Sequence, residues 1–192
     1  MSSSVHIVLA SSSKRRLELL ARIGVVPDLV VAPDIDETPL KKEKVANMVK
    51  RLAYEKAALV SLKYPNSVII AADTAAVCSN KILGKPRDYD DAQRMISLLS
   101  GRRHRVYTGV CIGYHGNLKL RLSESIVKFK KLRTSEIKSF LSRKEEWDGK
   151  AGGYTLQGFA GAFVEFLRGD HSGVLGLPLC DTYKMLQYFN AL

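Results

Sequence analysis

The stretch SVIIAADT, residues 67–74, decides the fold. Its first six residues are almost wholly apolar, which predicts a strand at 67–72 that is buried on both faces. Asp73 and Thr74 follow, and we expect them at the carboxyl end of this strand. Open α/β sheets usually bind their ligands at that edge. Asp73 is therefore a candidate functional residue, although an aspartate at such a position also commonly makes a turn or a cap.

Strand and helix patterns alternate on both sides of this stretch, as apolar runs and apolar residues at helical spacing indicate. The expected elements are a strand at 5–10, a helix at 14–24, a strand at 25–31, a helix at 43–63, a helix opening at Asp88, a hairpin of 104–114 and 118–129, a helix at 134–143, a strand at 162–167 and a closing helix with Pro178 in its first turn. We predict one α/β domain over residues 1–192, with a mixed, twisted sheet flanked by helices and a cleft between two lobes.

Composition and cysteine content are those of an intracellular globular protein. The 192 residues are 46% hydrophobic and 26% charged, which is ordinary for a globular domain. Cys78, Cys111 and Cys180 are an odd number without a CxxC pair, so we expect reduced, buried packing residues. The sequence holds no signal peptide pattern and no run of about 18 apolar residues, so we predict a soluble, cytoplasmic protein without membrane association.

The formal net charge is +11, which predicts an anionic partner. Nucleic acid and phosphate ligands both satisfy that condition. The lysines of segments such as 41–44 and 128–133 also have a simpler interpretation, since they can solvate a surface. The net charge alone does not distinguish an anionic partner from a solvated surface.

Arg15 and Arg16 break a local rule of helix stability. They lie in the opening turn of the helix at 14–24, where the macrodipole disfavours cations. A bound anion would reverse that balance, because free backbone amides, the hydroxyls of Ser11 and Ser13 and two guanidinium groups could converge on phosphate oxygens. The alternative is a solvated arginine pair.

Lys56 breaks a second rule. It continues the inward spacing of Val49, Leu52 and Val60 on the long helix, so the helix turns an ammonium toward the core or a cleft. A buried lysine is costly unless it is paired. The alternative is a lysine whose stem lies at the helix edge while its charge reaches water.

A second group of carboxylates lies in the loop at 33–39, where Glu37 is accompanied by Asp34 and Asp36. Magnesium prefers carboxylate and water oxygens and is usually held by one or two acids plus substrate phosphates. Asp73 with Glu37 would be sufficient for such a site. Acidic surface loops are common, however, and this loop has that simpler interpretation as well.

Three further segments contain candidate functional residues. Lys85 is fixed between a glycine and a proline, where it could steady phosphate charge. The segment DGKAGGYTLQG at 148–158 suits a backbone close to a flat ligand, and Gln157 could address a base edge, but no Walker loop is present. His104 is more often a structural residue than a catalyst in such a position.

Eight segments, in order along nearly the whole chain, resemble the Maf family of nucleoside triphosphate pyrophosphatases. They are SSSKRRLELL at 11–20, Glu37, AYEKA at 53–57, ADT at 72–74, GKP at 84–86, SGRRHRVYTG at 100–109, GKAGGYTLQG at 149–158 and GLP at 176–178. The resemblance implies an elongated α/β fold with a cleft between two lobes, often seen as a dimer. One departure is Lys14, which stands where the family usually has proline.

The resemblance also implies the roles of individual residues. Asp73 matches the proton acceptor, and Glu37, Lys56 and Lys85 match further active-site positions. The residues tied to base choice correspond to Arg15, Thr74 and Gln157. The GKAGGYTLQG form is similar to the branch that acts on dTTP and UTP, whereas the branch that acts on 7-methyl-GTP has a different loop.

These observations predict an enzyme that splits a nucleoside triphosphate into its monophosphate and pyrophosphate. The expected cofactor is a divalent cation, magnesium or manganese, held by Asp73 and Glu37. The alternatives are the 7-methyl-GTP branch and a basic nucleic-acid-binding regulator without turnover. No nucleic-acid partner is expected, because aromatic residues are not interleaved with the basic run and no helix-turn-helix, RNP or zinc pattern is present.

Overall fold

The computed structural model describes residues 5–192, which contain a seven-stranded sheet. The strands are β1 (Ile7–Ala10), β2 (Leu29–Val30), β3 (Val68–Cys78), β4 (Lys81–Leu83), β5 (Arg103–Tyr114), β6 (Asn117–Phe129) and β7 (Val164–Arg168). Their order is β2-β1-β3-β5-β6-β7, with β4 paired to β3. Strand β1 is parallel to β2 and β3, whereas β3 with β4 and β6 with β7 are antiparallel. The predicted mixed sheet is confirmed.

Helices separate most of these strands. They are α1 (Lys14–Ala21), α2 (Val45–Lys63), α3 (Tyr89–Leu99), α4 (Thr134–Leu141), α5 (Lys144–Trp147), α6 (His171–Leu175) and α7 (Leu179–Tyr188). Sequence patterns predicted the five longer ones. They missed α5 and α6, because four or five residues are too few to display helical periodicity. Among residues 5–192, none of the helices has both the length and the apolar character needed to cross a membrane.

Strand β3 is longer than predicted, and this corrects the position of Asp73. The strand continues through Asp73 and Thr74 to Cys78, so Asp73 lies in its middle rather than at its carboxyl end. The continuation is stabilised by the hairpin with β4, in which Ala76 pairs with Leu83. The turn of that hairpin uses Ser79 and Asn80, both with positive φ. Strand β2, in contrast, has only two of the seven residues predicted for it.

Contacts divide the chain into two compact units. The first comprises the chain up to Asp73, Thr108–Ser123 and Gly176–Leu192. Its core includes a cluster in which α2 packs against buried strands, with Val8, Ala10, Ala53, Ala57, Val60, Ile69, Ala71 and Cys111 as members. The small residues at the helix face allow the helix to lie close to the sheet.

The second unit comprises Thr74–Tyr107 and Glu124–Leu175. Its core is more aromatic, and Phe129, Phe140 and Phe163 are fully buried in it. Strands β3, β5 and β6 each run from one unit into the other. The prediction of a single domain over 1–192 therefore stays a prediction.

One sequence expectation about burial is wrong. All three cysteines are free, and Cys78 and Cys111 are buried as predicted, but Cys180 is exposed. Cys180 lies in the first turn of α7, on the face that turns toward solvent. Tyr183 of the same helix is also exposed, while Thr182 and Met185 take the buried positions.

Candidate active site

Lys56 lies between two carboxylates of the first unit. Its Nζ donates to Oδ1 of Asp73 at 2.6 Å and lies 2.6 Å from Oε1 of Glu37. Lys56 is only 6% exposed and Asp73 only 9%, whereas the side chain of Glu37 is 48% exposed. The structure therefore brings together three residues that the sequence singled out, from a loop, a helix and a strand.

The local sequence explains how this cluster forms. Lys56 is on the buried face of α2, one turn after Leu52 and one turn before Val60. A neutral, well-packed side chain at position 56 would avoid the desolvation of an ammonium. Because buried charges without a structural advantage are usually tied to function, the cluster marks a candidate site.

Arg16 is held next to this cluster by two hydrogen bonds. Its Nη1 donates to Oγ of Ser11 at 2.7 Å, and its Nε donates to the carbonyl of Gly176 at 2.9 Å. Burial lowers the pKa of Arg16, the charge of Asp73 acts in the opposite direction, Arg15 adds to the lowering and Glu37 opposes it. Arg16 is thus a fixed cation in the field of the two carboxylates.

Ser11 and Gly176 have supporting roles that sequence reasoning did not assign. Ser11 is buried, and its Oγ also accepts a hydrogen bond from the backbone N–H of Ser13 at 3.2 Å. Gly176 belongs to the GLP segment, which had been noted only as part of a family resemblance. No signal in the sequence links position 176 to position 16, because the contact is made by a backbone carbonyl.

Arg15 and Arg16 lie in the first turn of α1, and that turn holds no acidic residue. Ser13 is the N-cap residue and makes no side-chain capping bond. Burial also lowers the pKa of Arg15, and the nearby Glu18 acts in the opposite direction. The first turn of α1 therefore contains two arginines and has no side-chain cap, and the anion site at this end stays a prediction.

The carboxylates of Asp73 and Glu37 fit a divalent cation in their chemistry, and their distances to Lys56 set an upper bound on their separation. Their contacting oxygens are at most twice 2.6 Å apart, since both lie at that distance from the Lys56 nitrogen. Two oxygens that share a magnesium ion lie up to roughly 4 Å apart. Within residues 5–192, no group of three or more His, Cys, Asp or Glu side chains forms a complete metal site. A metal here would need further oxygens, such as those of a phosphate.

Three predicted site residues belong to the second unit. Thr74 is half-buried on β3, and Lys85 is exposed in the loop between β4 and α3. Gln157 is exposed in the turn between two short 3-10 helices, Ala151–Gly153 and Phe159–Phe163. The Lys85 loop and the glycine-rich segment are joined, because the N–H of Gly152 donates to the carbonyl of Gly84 at 2.9 Å.

His104 is a structural residue, in line with its simpler interpretation. It is 2% exposed, and its Nε2 lies 2.7 Å from the hydroxyl of Tyr154. Its ring packs edge to face on Phe129 and Tyr154. Burial lowers the pKa of His104 to about 4, opposed by a hydrogen bond with the backbone of Arg102. A neutral histidine therefore links β5 to the glycine-rich segment.

Comparison with known proteins identifies the family. A family model described as Maf-like protein matches residues 6–189 of the chain. The chain belongs to the Maf family. The matched range contains all eight segments that carry the resemblance in the sequence, as well as every candidate site residue described above.

Curated members of the family align with this chain over nearly its whole length. A dTTP/UTP pyrophosphatase of Sphingopyxis alaskensis (strain DSM 13593 / LMG 18877 / RB2256) is 51% identical over 181 residues, 94% of each chain. A dTTP/UTP pyrophosphatase of Wolbachia sp. subsp. Drosophila simulans (strain wRi) is 47% identical over 96% of this chain and 94% of its own length. A nucleoside triphosphate pyrophosphatase of Ehrlichia ruminantium (strain Gardel) is 48% identical over 96% of each.

Proposed function

We propose that this protein is a nucleoside triphosphate pyrophosphatase that hydrolyses dTTP and UTP to the monophosphate and pyrophosphate. The observation that carries the proposal is the buried ammonium of Lys56 between Asp73 and Glu37. It occurs in a chain that is 51% identical, over 94% of its length, to a protein named dTTP/UTP pyrophosphatase. A second relative, 48% identical over 96% of this chain, is named nucleoside triphosphate pyrophosphatase, which is the same reaction class.

Asp73 is the base of the reaction. Its carboxylate accepts a proton from the water that attacks the α-phosphorus, the bond from that phosphorus to the bridging oxygen breaks, and pyrophosphate leaves with the electron pair. The role is supported by the fixed position of Asp73, which is buried in the middle of β3 and held by Lys56 at 2.6 Å. A base must be oriented in this way to act on a single water.

Lys56 and Arg16 counter the negative charge of the transferring phosphate. An ammonium has three N–H donors, and two of those on Lys56 face Asp73 and Glu37, which leaves one for a phosphate oxygen. The guanidinium of Arg16 is already oriented by Ser11 and Gly176. Cations fixed before the substrate arrives stabilise the transition state without reorganisation, and this is usually the largest catalytic contribution.

The carboxylates of Asp73 and Glu37 would also hold a divalent cation, magnesium or manganese, together with phosphate oxygens of the substrate. When bound, such an ion supplies charge neutralisation and lowers the pKa of a coordinated water. The preference of magnesium and manganese for carboxylate oxygens supports this assignment.

The phosphate contacts that remain are assigned from the local sequence, and the contacts with the base are assigned from the family resemblance. Lys85 neutralises phosphate charge, and Ser13 and Arg15 complete the phosphate site at the start of α1. Recognition of the pyrimidine base falls to Arg15, Thr74 and Gln157. A cytoplasmic location and a homodimer are part of the same proposal, and nucleic acid is not a partner.

The test is pyrophosphate release from a panel of nucleotides. We expect turnover of dTTP and UTP with magnesium or manganese, and none after chelation with EDTA that is restored when the metal is added back. Preferential turnover of 7-methyl-GTP would place the chain in the other family branch. Salt-sensitive binding of DNA or RNA without turnover of any nucleotide would instead establish a nucleic-acid-binding regulator and refute the proposed function.

A further inference from the structure

Gln157 sits near the tip of a tight turn that is supported from one short helix. The turn comprises Thr155–Gly158 and is called here the Gln157 turn, and the N–H of Gly158 faces the carbonyl of Thr155 at 3.4 Å. Directly after it, the backbone N–H of Phe159 donates to Oε2 of Glu146 at 2.9 Å. A charged acceptor makes this a stronger hydrogen bond than a neutral one would.

Arg143, the residue before α5, also contacts Phe159, the residue that follows the Gln157 turn. The guanidinium of Arg143 lies over the ring of Phe159, 4.3 Å from its centroid, which is within the range of a cation–π contact. Phe159 is therefore fixed through its ring by Arg143 and through its backbone by Glu146. The end of the Gln157 turn is consequently attached to residues 143–146.

The helix that carries Glu146 is anchored in the core of the second unit. Trp147, adjacent to Glu146 on α5, is buried in the core of the second unit, and its Nε1 donates to the carbonyl of Leu141 at 3.0 Å. Glu146 itself is half-buried. Because its helix is anchored in this way, Glu146 can restrict the motion of the exposed turn that it contacts.

Gly158 is required for the contact to form. A Cβ at this position would lie 2.7 Å from Cδ of Glu146 and closer still to its oxygen. The backbone of Gly158 has φ −102° and ψ −157°, an extended conformation that any residue adopts. The glycine is thus needed for space rather than for conformational freedom, and an alanine would displace the Glu146 carboxylate.

We infer that Glu146 is a positioning residue that holds the Gln157 turn for recognition of the nucleobase, an inference that rests on the function proposed above. Neither the chemistry nor the phosphate site depends on this contact. Its loss mobilises Gln157 and weakens discrimination between bases, since a side-chain amide that reads a base edge must keep its direction.

The variants to compare are Glu146→Ala, Gly158→Ala and the double variant, with Glu145→Ala as the matched control. Glu145 is an exposed acid on the same helix. For Glu146→Ala we expect kcat/KM for dTTP and UTP to fall about tenfold, mostly through KM, while slow turnover of a poorly matched nucleotide such as GTP changes little. Gly158→Ala should have the same effect, and the double variant should be no worse than either single one.

A conservative variant and an activity-independent readout complete the test. Glu146→Gln keeps an acceptor oxygen and should recover most of the selectivity. Hydrogen exchange across residues 155–161 should accelerate in Glu146→Ala and not in Glu145→Ala.

Two outcomes overturn the inference. Unchanged exchange in Glu146→Ala would mean that the contact does not hold the turn, whether or not the protein is active. Faster exchange with unchanged selectivity for dTTP over GTP would mean that the turn does not read the base. A wild-type protein that hydrolyses no nucleotide would instead refute the proposed function, and the role in base recognition with it.

Discussion

The buried pairing of Lys56 with Asp73 makes Asp73→Asn the most informative single change. Asparagine has nearly the same shape, and Lys56 keeps its contact with Glu37, so the fold should be retained. Without a base, turnover of dTTP should fall by about 10²- to 10⁴-fold. Steady-state kinetics and thermal unfolding provide the two measurements.

The matched control is Asp34→Asn, an exposed acid in the same loop as Glu37. It should leave kcat within about twofold of wild type, as expected for surface substitutions. If Asp73→Asn keeps turnover within about tenfold of wild type, Asp73 is not the base.

The buried His104 makes stability depend on pH. Its pKa is lowered from 6.5 to about 4 by burial, so between these values the unfolded chain binds a proton that the folded protein does not. Stability is therefore full above pH 6.5 and decreases as the pH falls toward 4. The contribution lost is about 2 kcal/mol at pH 5 and about 3 kcal/mol near pH 4.

Urea unfolding at several pH values tests this. His104→Phe lowers stability at pH 7 through loss of the Tyr154 contact, but its stability should decline less between pH 7 and pH 5 than that of wild type. His171→Phe, at an exposed position of α6, should retain the wild-type slope. Equal slopes in all three proteins would show that His104 is not the titrating group.

Much of the candidate site could be predicted from single residues that break a local rule. Lys56 on an apolar helix face and two arginines at a helix start were visible because helical spacing fixes where a side chain points. The partners of these residues were not visible. Gly176 acts through its carbonyl, and Glu146 acts through the amide of Phe159, so neither contact leaves a trace in side-chain chemistry.

At the level of elements, the close approach of α2 and β5 depends on one glycine. A Cβ on Gly109 would lie 2.7 Å from the carbonyl carbon of Val49, and a helix backbone cannot swing aside as a side chain can. We expect Gly109→Ala to lower the free energy of unfolding by about 1 to 3 kcal/mol. Urea unfolding at pH 7 is the measurement.

Gly84→Ala is the control, because nothing lies within 4 Å of its added Cβ and its φ is not positive. Its unfolding free energy should change by no more than about 0.5 kcal/mol. A Gly109→Ala variant as stable as Gly84→Ala would mean that the helix and the strand can separate at no cost.

The misplaced end of β3 shows where element prediction fails. The apolar run was read as ending at Ala72 because Asp73 interrupts it, and a charged residue is rare inside a buried strand. The strand continues because Lys56 pairs with that charge and because β4 folds back on its last residues. Lys56 lies on another element, and the pairing with β4 is a contact that the apolar run itself does not display.

At the level of the whole molecule, the net charge of +11 should assist capture of an anionic substrate. We expect kcat/KM for dTTP to fall several-fold between about 0.05 M and about 0.3 M monovalent salt at constant free magnesium, because salt screens the long-range field. The value of kcat should change little. A kcat/KM independent of salt would show that the excess charge only solvates the surface.

Alternation of strand and helix patterns was sufficient to predict a mixed α/β sheet, because such patterns reflect local geometry. The division into two units was not predicted in residue terms. It depends on where long strands pass from one set of contacts to another, which the spacing of apolar residues does not encode.

The hydrogen bond from Arg16 to the carbonyl of Gly176 spans 160 residues of sequence. A nascent chain leaves the ribosome from its N-terminal end, so Arg16 is exposed long before its acceptor has been synthesised. The cation next to Asp73 can take its final orientation only when translation has passed position 176. We therefore expect the growing polypeptide to remain inert toward the nucleotide pool, and catalytic competence to arise only after Gly176 has left the ribosome.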